Sequence, residues 1–398
     1  MRPLRFAILN MRSNALAVAM LAGSGLPIAP EAGEPAERKA ERPKTAREAV
    51  AIQADSLQWY ESATIETPGW LSTSVAYSAD GKTIVLGGAD GHVVAYDAAT
   101  RKEKWKTNHG GGFAAVAYTA DQNSVISTFK DGVRFLDADS GKIERSFEEP
   151  DSRPTAVASF PDEVFPINDQ RLVKSHKIIF GSARGYFVKT WIDSALPGTI
   201  ELTNVRKGND PVDANAVPLA VDPAGRSVIL TGPVHRDTGK NVLWAWVAGN
   251  YEKGSPGNRL MEGHEAVVVS AAWSNDGQTA VTGDAAGRVI VWDAKEFKET
   301  QRLELGGRIA ALALSPDGAD IAAGAVGKQA DVYVWKADQA NAEEMRPIHV
   351  DGSDFSGPIN ACLAFSPNGK FLVGSAINTV WLSRTGEQLG KLHIWERK

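Results

Sequence analysis

Residues Trp273–Asp293 read "WSNDGQTAVTGDAAGRVIVWD". A polar turn, "SNDG", leads into an apolar strand, "TAVTGD" (Thr279–Asp284). A second glycine turn follows, and then a strand ending in an aromatic, "VIVWD" (Val289–Asp293). Asn, Asp and Gly supply the backbone angles of tight turns, and short β-branched runs between such turns read as strands.

The same phrases recur. The turn returns as "YSADGK" (Tyr77–Lys82), "YTADQN" (Tyr118–Asn123), "VDPAGR" (Val221–Arg226), "LSPDGA" (Leu314–Ala319) and "FSPNGK" (Phe365–Lys370), with a weaker copy, "SFPDEV", at Ser159–Val164. The aromatic-ended strand returns as "VVAYD" (Val93–Asp97), "VRFLD" (Val133–Asp137), "VKTWID" (Val188–Asp193), "LWAWV" (Leu243–Val247), "VYVWK" (Val332–Lys336) and "LHIWE" (Leu392–Glu396). Asp80 to Asp121, Asp121 to Asp162 and Asp276 to Asp317 are each 41 residues. A fourth strand follows the aromatic phrase, as in "EKWKT" (Glu103–Thr107) and "TQRLEL" (Thr300–Leu305). Four short strands per roughly 40 residues is the signature of a propeller blade. The expectation is an all-β fold: a seven-bladed β-propeller of four-stranded antiparallel blades, with the strand aromatics as wedges between blades.

The last strand, "GKLHIWERK" (Gly390–Lys398), has two registers. Counting from the preceding turn puts the wedge near Ser383 and makes Lys391–Lys398 an outer strand. Matching Gly390–Trp395 to Gly287–Trp292 makes it a third strand, with Trp395 in the wedge site. The pattern match is preferred. It leaves the last blade one strand short, and an open edge needs a cover. "SATIETP" (Ser62–Pro68) is expected to supply it, pairing Ser62–Thr67 beside Leu392–Trp395 and closing the ring with an N-terminal strand.

The 398 residues are 43% hydrophobic, enough for a large core. Net charge is −5 and no polybasic run appears, so no nucleic-acid partner is expected. The single cysteine, Cys362, reads as a buried hydrophobe. Arg2, Arg5 and Arg12 precede a short apolar stretch, Asn14–Ala29, which fits a signal peptide and is too short for a membrane span. The expected domains are a signal peptide at 1–29, a disordered or partly helical linker at 30–56, and the propeller at 57–398. A periplasmic or secreted protein follows, with a cytoplasmic one as the alternative. A monomer is expected.

Trp292-Asp293 and the Gly263-His264 pair, with looser copies at Tyr96-Asp97 and Trp191-Ile192-Asp193, resemble the WD40 repeat family. The resemblance runs from Trp70 to the end. It implies a buried hydrogen-bond set of His, Ser/Thr, Asp and Trp within a blade. Repeat five offers His264, Thr282 and Trp292, but the position taken for the acid holds Ala286, so the set is expected to be incomplete. "DGHVVAYDAATRKEKWKT" (Asp90–Thr107) is similar to repeats of quinoprotein-type propellers.

The WD40 scheme puts the insertions Lys207–Asn215, Gly232–Lys240, Asp351–Pro358 and Ala376–Gly390 on the top face. Asp162–Lys177 and Ala337–Met345 fall on the other. No Gly-x-Ser-x-Gly, His-Glu-x-x-His or phosphate-cradling glycine loop is present. The seven histidines do not pair at metal-ligand spacing. "DADSGK" (Asp137–Lys142) mimics the start of a calcium loop but reads as a blade turn. Neither an enzyme, a cofactor nor a metal is expected. The leading expectation is a non-catalytic scaffold presenting its top face to a protein partner. Its contact positions are those that start a third strand or enter a first: Trp70, His92, Phe113, Arg134, Arg153, Tyr186, Arg288, Arg308 and Phe355. Arg and aromatic residues suit such interfaces. The alternative is a quinoprotein-like cofactor-binding enzyme of the cell envelope.

Overall fold

A computed structural model of the chain describes residues 59–68, 72–150, 152–168, 171–182, 185–192, 203–205, 217–232, 242–247, 258–326, 330–338, 348–349, 359–378 and 389–398. Among them every regular element is a strand. The expected signal peptide and linker lie outside these residues. So do Trp70, Phe355 and most of the insertions near 207–215, 233–240, 339–345, 351–358 and 379–388.

The described strands form seven antiparallel sheets. β1 (Trp59–Pro68) comes first in the chain and joins the last sheet. The first sheet orders β2 (Ser72–Tyr77), β3 (Thr83–Gly88), β4 (His92–Asp97) and β5 (Glu103–Asn108). The second orders β6 (Val116–Tyr118), β7 (Ser124–Phe129), β8 (Gly132–Asp137) and β9 (Ile143–Glu148). The third holds β10 (Ala156–Ser159), β11 (Glu163–Asn168), β12 (Arg171–Ser182), β13 (Gly185–Ile192) and β14 (Thr203–Val205). The fourth orders β15 (Val217–Val221), β16 (Ser227–Gly232), β17 (Val242–Val247) and β18 (Asn258–Leu260). The fifth orders β19 (Val268–Trp273), β20 (Thr279–Asp284), β21 (Arg288–Asp293) and β22 (Lys298–Glu304). The sixth orders β23 (Arg308–Leu314), β24 (Asp320–Val326), β25 (Ala330–Lys336) and β26 (Ile348–His349). The seventh places β27 (Ile359–Phe365), β28 (Phe371–Asn378), β29 (Leu389–Arg397) and then β1.

The third sheet departs from the four-strand plan. The insertion Asp162–Lys177 is not a plain loop: β11 folds back as a hairpin on the extended first half of β12.

The recurring turn owes its sequence to a closed set of hydrogen bonds. Ser78 Oγ donates to Asp80 Oδ1 at 2.7 Å and accepts the Thr83 amide at 2.9 Å, while Asp80 Oδ1 accepts the Lys82 amide at 3.0 Å. Ser274 with Asp276, Ser315 with Asp317 and Ser366 with Asn368 repeat the pattern. The bonds from Lys82 N–H and Ser78 hold the Asp80 carboxyl down to about 2. "DADSGK" is likewise a turn, with Asp137 Oδ1 accepting the Ser140 amide at 2.8 Å.

Each middle strand serves two neighbours, because successive side chains point to opposite faces. Val85 packs against the second sheet, in a cluster with Ala114, Val116, Val125 and Leu136. Leu86 packs against the seventh, with Ile65, Val373, Leu392 and Ile394. Seven buried clusters each draw on two consecutive sheets, and the last of them joins the seventh sheet to the first. Burying one such Val, Leu or Ile is worth about 1.5–3 kcal/mol. Four described wedge residues face the preceding sheet: Trp292 the fourth, Trp335 the fifth, Trp395 the sixth and Tyr96 the seventh. At Gly87 the first two sheets meet so closely that a Cβ would lie 1.9 Å from the Ala114 carbonyl oxygen.

The pairing expected of the chain's two ends is present. β1 pairs antiparallel with β29, with Ala63 opposite Ile394, Ile65 opposite Leu392 and Thr67 opposite Gly390. β29 lies between β28 and β1, the position of a third strand. Side chains fasten the join. His393 Nδ1 lies 2.9 Å from Glu61 Oε1 and its ring stacks on Trp395, while Tyr60 Oη donates to Glu396 at 3.0 Å.

Candidate interaction face

In antiparallel sheets of this order, the loop between second and third strands lies at the same end as the loop leading into the next sheet. Four expected contact positions gather there at the corner of the first and second sheets. His92 opens β4, with Nδ1 2.6 Å from Asp90 Oδ2 and Nε2 2.9 Å from Asn108 Nδ2. The His109 amide donates to Gly91 O at 2.9 Å, carrying the β4–β5 ladder one step beyond its last strand pair. The carbonyl of Phe113 accepts Thr128 Oγ1 at 2.9 Å. Arg134 lies in β8, and the Arg153 amide donates to Lys130 O at 3.1 Å.

Arg288 and Arg308 sit elsewhere, at the corner of the fifth and sixth sheets. Arg288 is committed to its own sheet: Nη1 donates to Gly263 O at 2.8 Å and Nε to Glu304 Oε1 at 2.6 Å. That makes it a staple between the repeat's entry loop and β22. Arg308 opens β23 half-buried, and its Nε has no hydrogen-bond partner. The backbone of Tyr186 pairs with Gly181. Its side chain lies outside the described residues.

The fifth sheet corrects the expectation of an incomplete buried network. The acid is Asp284, the last residue of β20, and not the Ala286 position. Asp284 Oδ2 accepts His264 Nδ1–H at 2.9 Å, and Thr282 lies 2.7 Å from His264 Nε2. Trp292 Nε1 donates to Thr282 Oγ1 at 2.7 Å. Asp284 Oδ1 accepts the Ala286 and Arg288 amides, each at 2.9 Å. Ala286 is thus a donor to the acid. One carboxylate serves both the network and the β20–β21 turn. Burial alone would raise the Asp284 carboxyl, but the bonds from His264 and the Arg288 amide bring it below its ordinary value.

The second sheet carries an altered copy. His109 Nε2 meets Ser127 Oγ at 2.9 Å, with the same 18-residue separation as His264 and Thr282. Strand pairing sets Arg134 opposite Ser127 where Ile290 lies opposite Thr282. Phe129 ends β7 where Asp284 ends β20, and Leu136 takes the place of Trp292. Arg134 Nη1 lies 3.2 Å from His109 Nδ1, the atom whose counterpart faces Asp284 in the fifth sheet. Its guanidinium also stands 4.4 Å above the Phe129 ring. An imidazole nitrogen that accepts from arginine carries no proton, so His109 is neutral with its hydrogen on Nε2. Burial, and then the charge of Arg134, push its pKa down to about 4. Sequence reading named Arg134 but missed this pairing. The signal available was the His109–Ser127 spacing.

Between the second and third sheets, ligand atoms of Asp121, Asp162 and His176 lie within 4.8 Å of one another. Both carboxylates are already engaged. Asp162 meets His176 Nδ1 at 2.8 Å and Lys174 Nζ at 3.0 Å, and Asp121 accepts Thr119 Oγ1 at 2.7 Å and the Asn123 amide at 3.1 Å. Lys174 supplies positive charge at the spot, so the group reads as an ionic clamp between sheets.

Two family models match the chain. Residues 256–293 match the WD domain, G-beta repeat. The chain carries a WD40 repeat. The matched span holds the complete network together with Gly263-His264 and Trp292-Asp293, while the looser copies at Tyr96-Asp97 and Trp191–Asp193 lie outside it. Residues 46–189 match the family of the outer membrane protein assembly factor BamB, a span that contains the quinoprotein-like Asp90–Thr107. The WD40 resemblance with a weaker quinoprotein-like one is therefore borne out. Among curated relatives, guanine nucleotide-binding protein subunit beta-1 of Drosophila melanogaster is 24% identical over 134 residues, 33% of this chain and 38% of that protein. The match thus spans well under half of either protein.

Proposed function

We propose that this protein is a non-catalytic scaffold, a closed seven-bladed propeller that offers one end of its sheets to a protein partner. The ring rests on the seven clusters between consecutive sheets and on contacts between successive inner strands, with β27 touching β2. Ser375 Oγ also donates to Ser72 O at 3.0 Å across the last junction. β1 in the seventh sheet then fastens the ring with the chain's N-terminal strand.

The observation that carries the functional reading is the convergence of His92, Phe113, Arg134 and Arg153 at one corner. Each sits on backbone fixed by hydrogen bonds to a neighbouring strand or loop. Arg and aromatic side chains on rigid loops are the usual material of protein interfaces. The Drosophila relative is by its name a subunit of a larger assembly, which agrees with such a role.

Capture from the native host tests it. A partner held by the intact chain should be lost with Arg153→Glu and kept with Lys102→Glu, an exposed site at the opposite end of the first sheet. Equal capture by all three would overturn the choice of face.

The match over residues 46–189 favours one second reading, a quinoprotein-like enzyme of the cell envelope. Pyrroloquinoline quinone with calcium should then raise the melting temperature. No shift at high ligand excess would exclude it. We further propose a monomer exported to the periplasm or medium. Cell fractionation and light scattering test both points.

A further inference from the structure

We propose that the corner built from His109, Phe129, Arg134 and the glycine run Gly110–Gly112 is a receptor for a carboxylate, an Asp or Glu side chain of a protein partner. The inference rests on the reading that this end of the sheets meets a protein.

Comparison of two sheets within the chain carries it. In the fifth sheet the histidine of the buried set faces a carboxylate supplied by its own strand, Asp284. The second sheet keeps the histidine and the hydroxyl but puts Phe129 at the end of the strand. In addition, Arg134 replaces the fully buried Ile290. A cation therefore stands where the repeat calls for an apolar residue, and the anion of the repeat is missing.

Among the described residues, the polar contacts of the Arg134 side chain are His109 Nδ1 at 3.2 Å and His109 O at 3.5 Å, both neutral. A half-buried guanidinium without a carboxylate is left with unused donors, and it prefers a planar two-oxygen acceptor. Asp90 is held by His92 at 2.6 Å, and among the described residues no carboxylate stands within ion-pair distance of Arg134.

The rim is open. Gly110, Gly111 and Gly112 all have positive φ, at 85°, 102° and 100°. A Cβ at Gly110 or Gly111 would meet nothing within 4 Å, so an incoming chain can approach the backbone closely. Lys130 and Arg153 are exposed on the next loops and joined through a backbone hydrogen bond. Their charge favours an acidic visitor. A carboxylate is chosen over a phosphate because a carboxylate fills the matching place in the fifth sheet.

The probe is N-acetylaspartate amide titrated into the full chain labelled with 15N-histidine. The His109 ring signals should shift saturably, with a dissociation constant on the order of millimolar. Arg134→Gln should weaken this about ten-fold or more, and Arg134→Lys should recover part of it. Phe129→Asp, which builds the acid in, should abolish the response to the probe. An unchanged urea midpoint in Arg134→Lys separates loss of the site from loss of the fold. No shift of His109, or the same shift in Arg134→Gln, overturns the proposal. So does inorganic phosphate binding about ten-fold tighter than the probe. If capture of a partner survives in Arg134→Gln, the receptor fails while the scaffold reading stands. If no partner is captured by the intact chain, it is the scaffold reading that fails.

Discussion

Removing the Asp284 carboxylate gives a prediction whose size follows from geometry. The side chain is fully buried and accepts three hydrogen bonds at 2.9 Å, from His264 Nδ1 and the Ala286 and Arg288 amides. In Asp284→Ala the exposed Ala286 amide rehydrates, but the His264 ring and the Arg288 amide stay covered. Each covered donor left unmatched costs about 1–3 kcal/mol, so the variant should lose about 2–6 kcal/mol. Asp284→Asn separates the two roles. Its amide oxygen can still accept both backbone amides, which bind Oδ1, and only the His264 contact at Oδ2 is lost. That should cost about 1–3 kcal/mol. The assay is urea unfolding, with the midpoint shifted at an unchanged slope. An Ala variant within about 0.5 kcal/mol of the parent, the range of ordinary surface changes, would refute the idea that this network stiffens the repeat.

Gly87→Ala should destabilise by about 3 kcal/mol or more, because its Cβ would fall 1.9 Å from the Ala114 carbonyl, whereas Gly110→Ala should cost only about 1–2 kcal/mol of backbone strain. Thermal melts compare the two. Acid should weaken the fold: Asp80, Asp276, Asp284 and Asp317 have carboxyls lowered in the folded state. Their stabilisation is full above the unfolded pKa and lost as pH falls through the folded one, so the urea midpoint should hold from about pH 7 to 5 and drop below about pH 4. Cys362 is buried, its Sγ 3.1 Å from Ser375 Oγ, and burial raises its thiol pKa. It should resist a thiol reagent in buffer and react fully in urea, as followed by mass spectrometry.

Much of the fold was legible because its signals are local. The Ser-x-Asp-Gly turn is written in adjacent residues whose side chains bond within five positions, as Ser78, Asp80 and Thr83 show. The place of β29 could be read because Trp395 repeats the wedge pattern of Trp292, and an odd edge demands a partner. The buried acid was misplaced because the family's matching position falls on Ala286. Asp284 reaches His264 across 20 residues, and only the end of β20 fixes where its carboxylate points. The β11 hairpin was read as an insertion because "DEVFPINDQR" lacks the usual two-residue turn signal. Arg134 was picked for its place at the start of a third strand. Its link to His109 depends on the register of β7 against β8, which composition cannot give. Arg288 was picked on the same grounds, yet Glu304 and Gly263 already hold it.

The central claim is that this end of the first and second sheets meets a protein. A photo-crosslinking amino acid placed at position 130, 153 or 102 of the full chain, in its native host, tests it most directly. All three positions are exposed. The account predicts a discrete protein adduct from 130 and 153 and none from 102. Adducts confined to 102, or none from 130 and 153, would contradict it.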